Sequence, residues 1–270
     1  MLLRTVVSFI ALPILIFALY FSPPWVLPIL LAVIVMLAIY ELLISTGIVK
    51  NRTLLILTEL FGVLIVPWVY FGGNVNFALM YMFVFAVVLF AVAMSDRKSV
   101  GFAQITGCFF AAAFLSVMFT AILRIRSMEG GIFFVLLPFL TAWMTDTGAY
   151  FTGYFFGKHK FAPSISPKKT IEGCVGGLVS CIVFILIYGA IVNRIWNAGL
   201  SMWLLGAIGL FCSVIAQFGD LSLSFIKREF GIKDYGTIMP GHGGILDRFD
   251  SVLFTAPAVE LMLKIAMELL

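Results

Sequence analysis

Charge is scarce in this sequence, and its scarcity excludes a soluble fold. Only 11% of the 270 residues are charged, while 63% are hydrophobic. An ordinary soluble chain is about 25% charged and about 45–50% apolar. A chain this poor in charge has too few polar side chains to cover a globule, so the solvent of most of its surface is lipid. Histidine is scarcer still, with two residues. His242 has no second histidine nearby, which argues against zinc, and no Ser–His or Cys–His pair is spaced for a covalent intermediate. The four cysteines, Cys108, Cys174, Cys181 and Cys212, lie in or beside apolar runs without metal-ligand spacing. They read as small buried hydrophobes, with no disulfide framework indicated. Internal repeats, low-complexity segments and a soluble domain are also lacking.

What is abundant is long apolar runs. Measured against the roughly 20 residues needed to cross a bilayer, the runs Val6–Phe21, Trp25–Ile44, Leu54–Phe71, Phe77–Met94, Phe102–Leu123, Ile132–Phe156, Cys174–Val192, Met202–Phe218 and Ser251–Leu270 each qualify. They predict an all-α, polytopic integral membrane protein with about nine transmembrane helices. Val6–Phe21 reads as a retained span, because no small-residue cleavage site follows it. With the N-terminus in the cytoplasm, that side collects Arg4, Lys50, Arg52, Arg97, Lys98, Lys158, Lys160, Lys168, Lys169, Lys227, Arg228, Lys233 and Arg248, most of the 17 basic residues. The positive-inside rule therefore sets the N-terminus cytoplasmic. The net charge of +4 reports this topology and contact with anionic lipid, with no reason to infer nucleic acid.

The polar residues gather in the second half. Residues 1–124 form an N-terminal set of about five spans with short loops. Residues 125–270 carry about four spans and two long polar cytoplasmic loops, 157–173 and 227–250, and the chemistry is expected there. Gly148, Gly153 and Gly157 precede the first of these loops, and Gly173, Gly176 and Gly177 open the next span. Such small residues let helices approach closely, and packing alone accounts for them; they also fit a homodimer.

Five acids lie within or beside apolar runs, where an ionised carboxylate costs about 2.5–3.5 kcal/mol. Glu41 and Glu260 sit close enough to span ends, or to Lys264, for a structural explanation, and Glu59 is ambiguous. Asp146, flanked by Thr145, Thr147 and Gly148, has a cavity-facing setting. On a continuing helix, Asp220, Ser224 and Lys227 share one face with Arg228 beside them. The cluster Gly236, Pro240, Gly241, Gly243 and Gly244 forbids regular helix and frees backbone N–H groups, as in loops that cradle phosphates. Asp247 and Asp250 follow at i, i+3 and suit magnesium, which takes few carboxylates plus waters and substrate oxygens. Lys168 and Lys169, beside Ser166 and Thr170, offer a second phosphate contact or simply mark topology. Together these features imply direct phosphoryl or nucleotidyl transfer at the cytoplasmic surface, which needs positioning and charge neutralisation more than a nucleophile.

The stretch from Ser224-Phe225-Ile226-Lys227-Arg228 through Lys233-Asp234-Tyr235-Gly236 to Pro240-Gly241-His242-Gly243-Gly244-Ile245-Leu246-Asp247-Arg248-Phe249-Asp250 closely resembles the signature of the phosphatidate cytidylyltransferases, or CDP-diacylglycerol synthases. Its one departure is Met239, where Leu, Ile or Phe is expected. The S-P-K-K-T-I-E-G and T-D-T-G-A-Y segments are similar as well, so the likeness runs from about Ala142 to the C-terminus. It implies a magnesium-dependent transfer of CMP from CTP to phosphatidic acid, yielding CDP-diacylglycerol and pyrophosphate. Under it, Asp220 and Asp247 hold magnesium, with Asp146 and Asp250 as candidates for a second cation or for orienting ligands. Lys227, Arg228 and Arg248 neutralise phosphate charge, and His242 hydrogen-bonds a phosphate or the loop. Ser166, Lys168, Lys169, Thr170, Lys233, Gly243 and Gly244 bind substrate. The implied partners are CTP, phosphatidic acid and membrane lipids; the basic-residue bias sets the site on the cytoplasmic face, and the lack of a long hydrophilic N-terminal tail points to a bacterial plasma membrane. Two rivals are a CTP-dependent polyprenol or phytol kinase and an ion-coupled transporter, the latter expected to show inverted repeats.

Overall fold

The computed structural model describes residues 13–73, 75–238 and 243–269. Helices dominate, as they must where no water is present to satisfy backbone polar groups. Residues 13–20 are helical, and the chain continues through α1 (Val26–Ser45), α2 (Arg52–Tyr70), α3 (Val75–Ser95) and α4 (Phe102–Phe110). A π-helical segment, Ala111–Leu115, joins α4 to α5 (Ser116–Arg126). Next come α6 (Gly131–Phe134), α7 (Leu137–Phe156), a hairpin of β1 (Lys160–Ala162) and β2 (Ser166–Thr170), then α8 (Ile171–Trp196), α9 (Met202–Glu229) and α10 (Leu246–Leu269).

Seven expected spans, from Trp25–Ile44 to Met202–Phe218, are helical stretches long and apolar enough to cross a bilayer. The ninth, Ser251–Leu270, falls on α10, which begins five residues earlier and carries more charge. Of the expected span Val6–Phe21, residues 6–12 lie outside the described residues and residues 13–20 are helical. Large apolar side chains face outward along these helices: Phe77, Leu79, Met80 and Phe83 of α3 are all more than half exposed. A helix that is apolar all round has lipid as its surroundings, and the chain is a polytopic integral membrane protein.

The chain forms two compact units. One contains the residues up to Arg124 together with Phe230–Arg248; the other contains Ile125–Glu229 and Phe249–Leu270. In the first, Asn51 caps α2 by accepting hydrogen bonds from the N–H groups of Thr53 (2.9 Å) and Leu54 (3.3 Å). Gly62 of α2 meets Ile39 of α1 and Ser116 of α5, so a larger side chain there would have to displace the end of the Ile39 side chain.

In the second unit α7 and α8 pack at backbone contact. A Cβ at Gly177 would stand 2.7 Å from the Thr145 carbonyl oxygen, and one at Gly173 would stand 2.8 Å from that of Ala149. The glycine spacing thus allows close helix approach, as expected of small residues. Polar side chains bind the remaining helices. Thr145 Oγ1 donates to Ser213 Oγ of α9 (3.0 Å), and Thr255 Oγ1 of α10 donates to the Pro138 carbonyl (2.8 Å). Phe254 of α10 lies on Gly219 of α9. These contacts fix α7, α8, α9 and α10 around the chain's polar interior.

Candidate active site

The segment expected as a loop at 157–173 is instead a short antiparallel hairpin, in which Lys160 pairs with Thr170 and Ala162 with Ser166. Its base is fastened by Glu172, whose carboxylate accepts from the backbone N–H of Lys158 (3.1 Å) and lies 2.6 Å from His159 Nδ1. Thr170 Oγ1 accepts from the Gly173 N–H at 3.1 Å and so caps α8. At the turn, Arg228 Nε donates to the Ile165 carbonyl at 3.2 Å. The arginine expected to neutralise phosphate charge therefore also pins the hairpin from the end of α9.

Held this way, the hairpin closes a cavity of about 550 Å³ against α7, α8 and α9. Of the residues singled out in the sequence, Asp146, Ser166, Lys168, Lys169, Thr170 and Asp220 all line it. Lys169 Nζ sits 2.6 Å from Asp220 Oδ2, and Ser224 Oγ donates to Asp220 Oδ1 at 3.3 Å. That second bond realises the helical face expected for Asp220 and Ser224, because α9 does continue to Glu229. Lys227, on the same face, is buried. Asp146 accepts from Ser251 Oγ at 3.2 Å and feels the charges of Asp220 and Lys169. Asp250 feels those of Asp220, Asp146 and Lys227. Three carboxylates and two lysines thus share one electrostatic neighbourhood.

Sequence reasoning missed Lys160, Gln217, Tyr150 and Tyr154 in the cavity wall. Lys160 was legible through strand register, since a residue paired with Thr170 projects from the same face of the hairpin. Gln217 donates from Nε2 to the Cys174 carbonyl (3.2 Å), and its backbone carbonyl accepts from Lys169 Nζ at 3.4 Å.

In the first unit Pro240 and Gly241 lie outside the described residues, and the described N–H groups of Tyr235, Gly244, Ile245 and Leu246 are held by carboxylates. Glu41, buried on α1, accepts from the N–H groups of Ile245 (3.0 Å) and Leu246 (2.9 Å), and so caps α10 from about 200 positions away in the chain. Its carboxylate fills the space where side chains at Gly236 and Gly244 would stand. Asp247 Oδ2 accepts from Tyr235 N–H (2.7 Å) and Gly244 N–H (3.0 Å). Asp247, expected as a metal ligand, therefore folds the loop around itself. Gly243 has φ 90°, a conformation reserved for glycine. Lys233 and Arg248 are exposed, and His242 lies outside the described residues.

Among the described residues, no three His, Cys, Asp or Glu side chains are gathered tightly enough to hold a metal by themselves. A magnesium ion asks for less, one or two carboxylates with waters and substrate oxygens. The pair Asp146 and Asp220 offers such hard oxygens, and the Lys169 ammonium against Asp220 marks the place as attractive to cations. The donor set fits.

Known proteins resemble this chain over much of its length. The chain is 40% identical to a phosphatidate cytidylyltransferase of Staphylococcus saprophyticus over 176 residues, 65% of each chain. It is 38% identical to that of Staphylococcus haemolyticus over 188 residues, 70% of each, and 41% identical to that of Staphylococcus aureus over 179 residues, 66% of each. The chain thus spans about two thirds of the length of these relatives. The Cytidylyltransferase family model matches residues 2–266, nearly end to end, and the chain belongs to that family.

Proposed function

We propose that this protein transfers CMP from CTP to phosphatidic acid, giving CDP-diacylglycerol and pyrophosphate, in a bacterial plasma membrane with the cavity open to the cytoplasm. The observation that carries the reading is one cavity, within a membrane-embedded chain, where Asp146 and Asp220 meet Lys160, Lys168 and Lys169. The relatives' names support the substrates, and the distribution of basic residues supports the orientation. In the step itself an anionic oxygen of the lipid phosphate forms a bond to the α-phosphorus of CTP. The bond from that phosphorus to the bridging oxygen breaks, and pyrophosphate leaves with the electron pair. No base is required, because the attacking oxygen is already ionised.

The chain's part is to position and neutralise. Lys160, Lys168 and Lys169 bind the triphosphate, Ser166 and Thr170 orient it, and Arg228 keeps the hairpin in place. Lys227, buried at the end of α9, balances the carboxylates. Asp146 and Asp220, with Asp250 near them, would hold magnesium, which supplies charge neutralisation at the phosphates when bound. Asp247 serves by holding the signature loop. The test is to incubate purified protein with phosphatidic acid, magnesium and CTP labelled at either the α or the γ phosphate. Label from the α position is expected in the lipid. Label from the γ position would instead identify a lipid kinase and overturn the proposal.

A further inference from the structure

The cavity has an aromatic wall that the triphosphate and cation do not use. Asp146, Tyr150 and Tyr154 fall at i, i+4 and i+8 on α7, so the tyrosines lie about 6 Å and about 12 Å along the helix axis from the carboxylate. Both line the cavity, with the small residues Ala149 and Gly153 beside them. Their rings are nearly parallel, 17° apart with centroids 6.4 Å apart. They are 67% and 74% exposed, and among the described residues neither hydroxyl has a hydrogen-bond partner. Three phenylalanines in the same stretch, Phe151, Phe155 and Phe156, are also exposed but do not line the cavity. Interfacial tyrosines commonly form an aromatic belt at the membrane surface. A belt does not account for a division in which phenylalanines face away while tyrosines line an ionic cavity.

We propose that Tyr150 and Tyr154 form the platform on which the pyrimidine base of the nucleotide stacks, with the phosphates directed toward Asp146, Asp220 and Lys169. The inference rests on the cytidylyl-transfer reading and adds the base subsite to it. Every base has a π face, so stacking gives affinity, and the unpaired hydroxyls supply polar contacts at the base edge. A lipid tail would gain nothing from two hydroxyls.

The experiment compares wild type with Tyr150→Leu, Tyr154→Leu and Tyr154→Phe in detergent, each checked for a monodisperse size-exclusion profile. KM and kcat are measured separately for CTP and phosphatidic acid, together with inhibition by inorganic tripolyphosphate. The leucine variants should raise KM for CTP by about tenfold or more, with kcat, KM for the lipid and tripolyphosphate inhibition essentially unchanged. Tyr154→Phe should restore most of the affinity. An unchanged KM for CTP, a rise confined to KM for phosphatidic acid, or weaker tripolyphosphate inhibition in step with CTP would each overturn the subsite. Direct calorimetric binding of CTP to the same variants separates this outcome from failure of the transfer reading. A base platform shows in binding whichever phosphate is transferred.

Discussion

At the scale of single residues, the central arrangement is a lysine set on an acid. Lys169 and Asp220 are both mostly buried, 18% and 25% exposed at the side chain, so each limits the cost of desolvating the other. This pair makes Asp220 a sharper target than Asp146. Asp220→Asn keeps the shape and the hydrogen bond to Ser224 but leaves Lys169 without its counter-charge. Turnover is expected to fall by about 10–100-fold or more, with the elution profile and helical content retained. The readout is incorporation of α-labelled CTP into lipid at saturating substrate; turnover within a few-fold of wild type would remove Asp220 from the reaction. By contrast, Glu260, which pairs with Lys264 at 2.6 Å one turn away, has the structural role expected of it. The same residue type in the same solvent thus serves two purposes, separated by whether its partner is local in sequence or comes from another element.

At the scale of elements, much of the fold was legible and some was not. Hydropathy marked the helices because lipid imposes a length and an apolar surface on each span. It could not mark the hairpin, which has Pro163 in its turn, Pro167 in β2 and charged residues in both strands, and so reads as loop. Nor could it reveal what the signature glycines are for. Their pattern suggested free N–H groups for phosphate, yet Gly236 and Gly244 make room for the Glu41 carboxylate, which belongs to a helix some 200 residues earlier. No local pattern announces a helix cap supplied at that separation. A consequence follows for stability. Glu41→Ala leaves two buried N–H groups at the start of α10 without acceptors, a loss of about 1–3 kcal/mol for each. Its thermal midpoint in detergent should drop clearly, while Glu41→Asp, one methylene shorter, should drop less. Equal midpoints for Glu41→Ala and wild type would show that the cap contributes nothing. Glycine spacing differs between contacts as well: at the α7–α8 contact the Gly177 Cβ position stands 2.7 Å from a carbonyl oxygen, whereas that of Gly206 in α9 stands 3.8 Å from the nearest atom, in Leu186 of α8.

At the scale of the whole molecule, the question is which way the chain sits in the bilayer. Basic residues cluster on alternate loops, and lysines facing the cytoplasm are retained there by the positive-inside rule. In the proposed orientation the hairpin, with Lys160, Lys168 and Lys169 and with Lys158 at its base, faces the cytoplasm, where CTP is available. α8 connects this side to the opposite one, since its 26 residues extend about 39 Å at about 1.5 Å per residue, enough to cross a hydrocarbon core about 30 Å thick. The four native cysteines are free, and three of them are buried, so replacing them with alanine gives a background for single-cysteine labelling. On that background Lys158→Cys, at the hairpin end of α8, should react with a membrane-impermeant maleimide only in inverted vesicles. Ser201→Cys, exposed beyond the far end of α8, should react only in intact cells stripped of their outer barriers. The reverse pattern would place the cavity away from its nucleotide. Labelling of both sites from one side would mean that α8 does not cross the membrane.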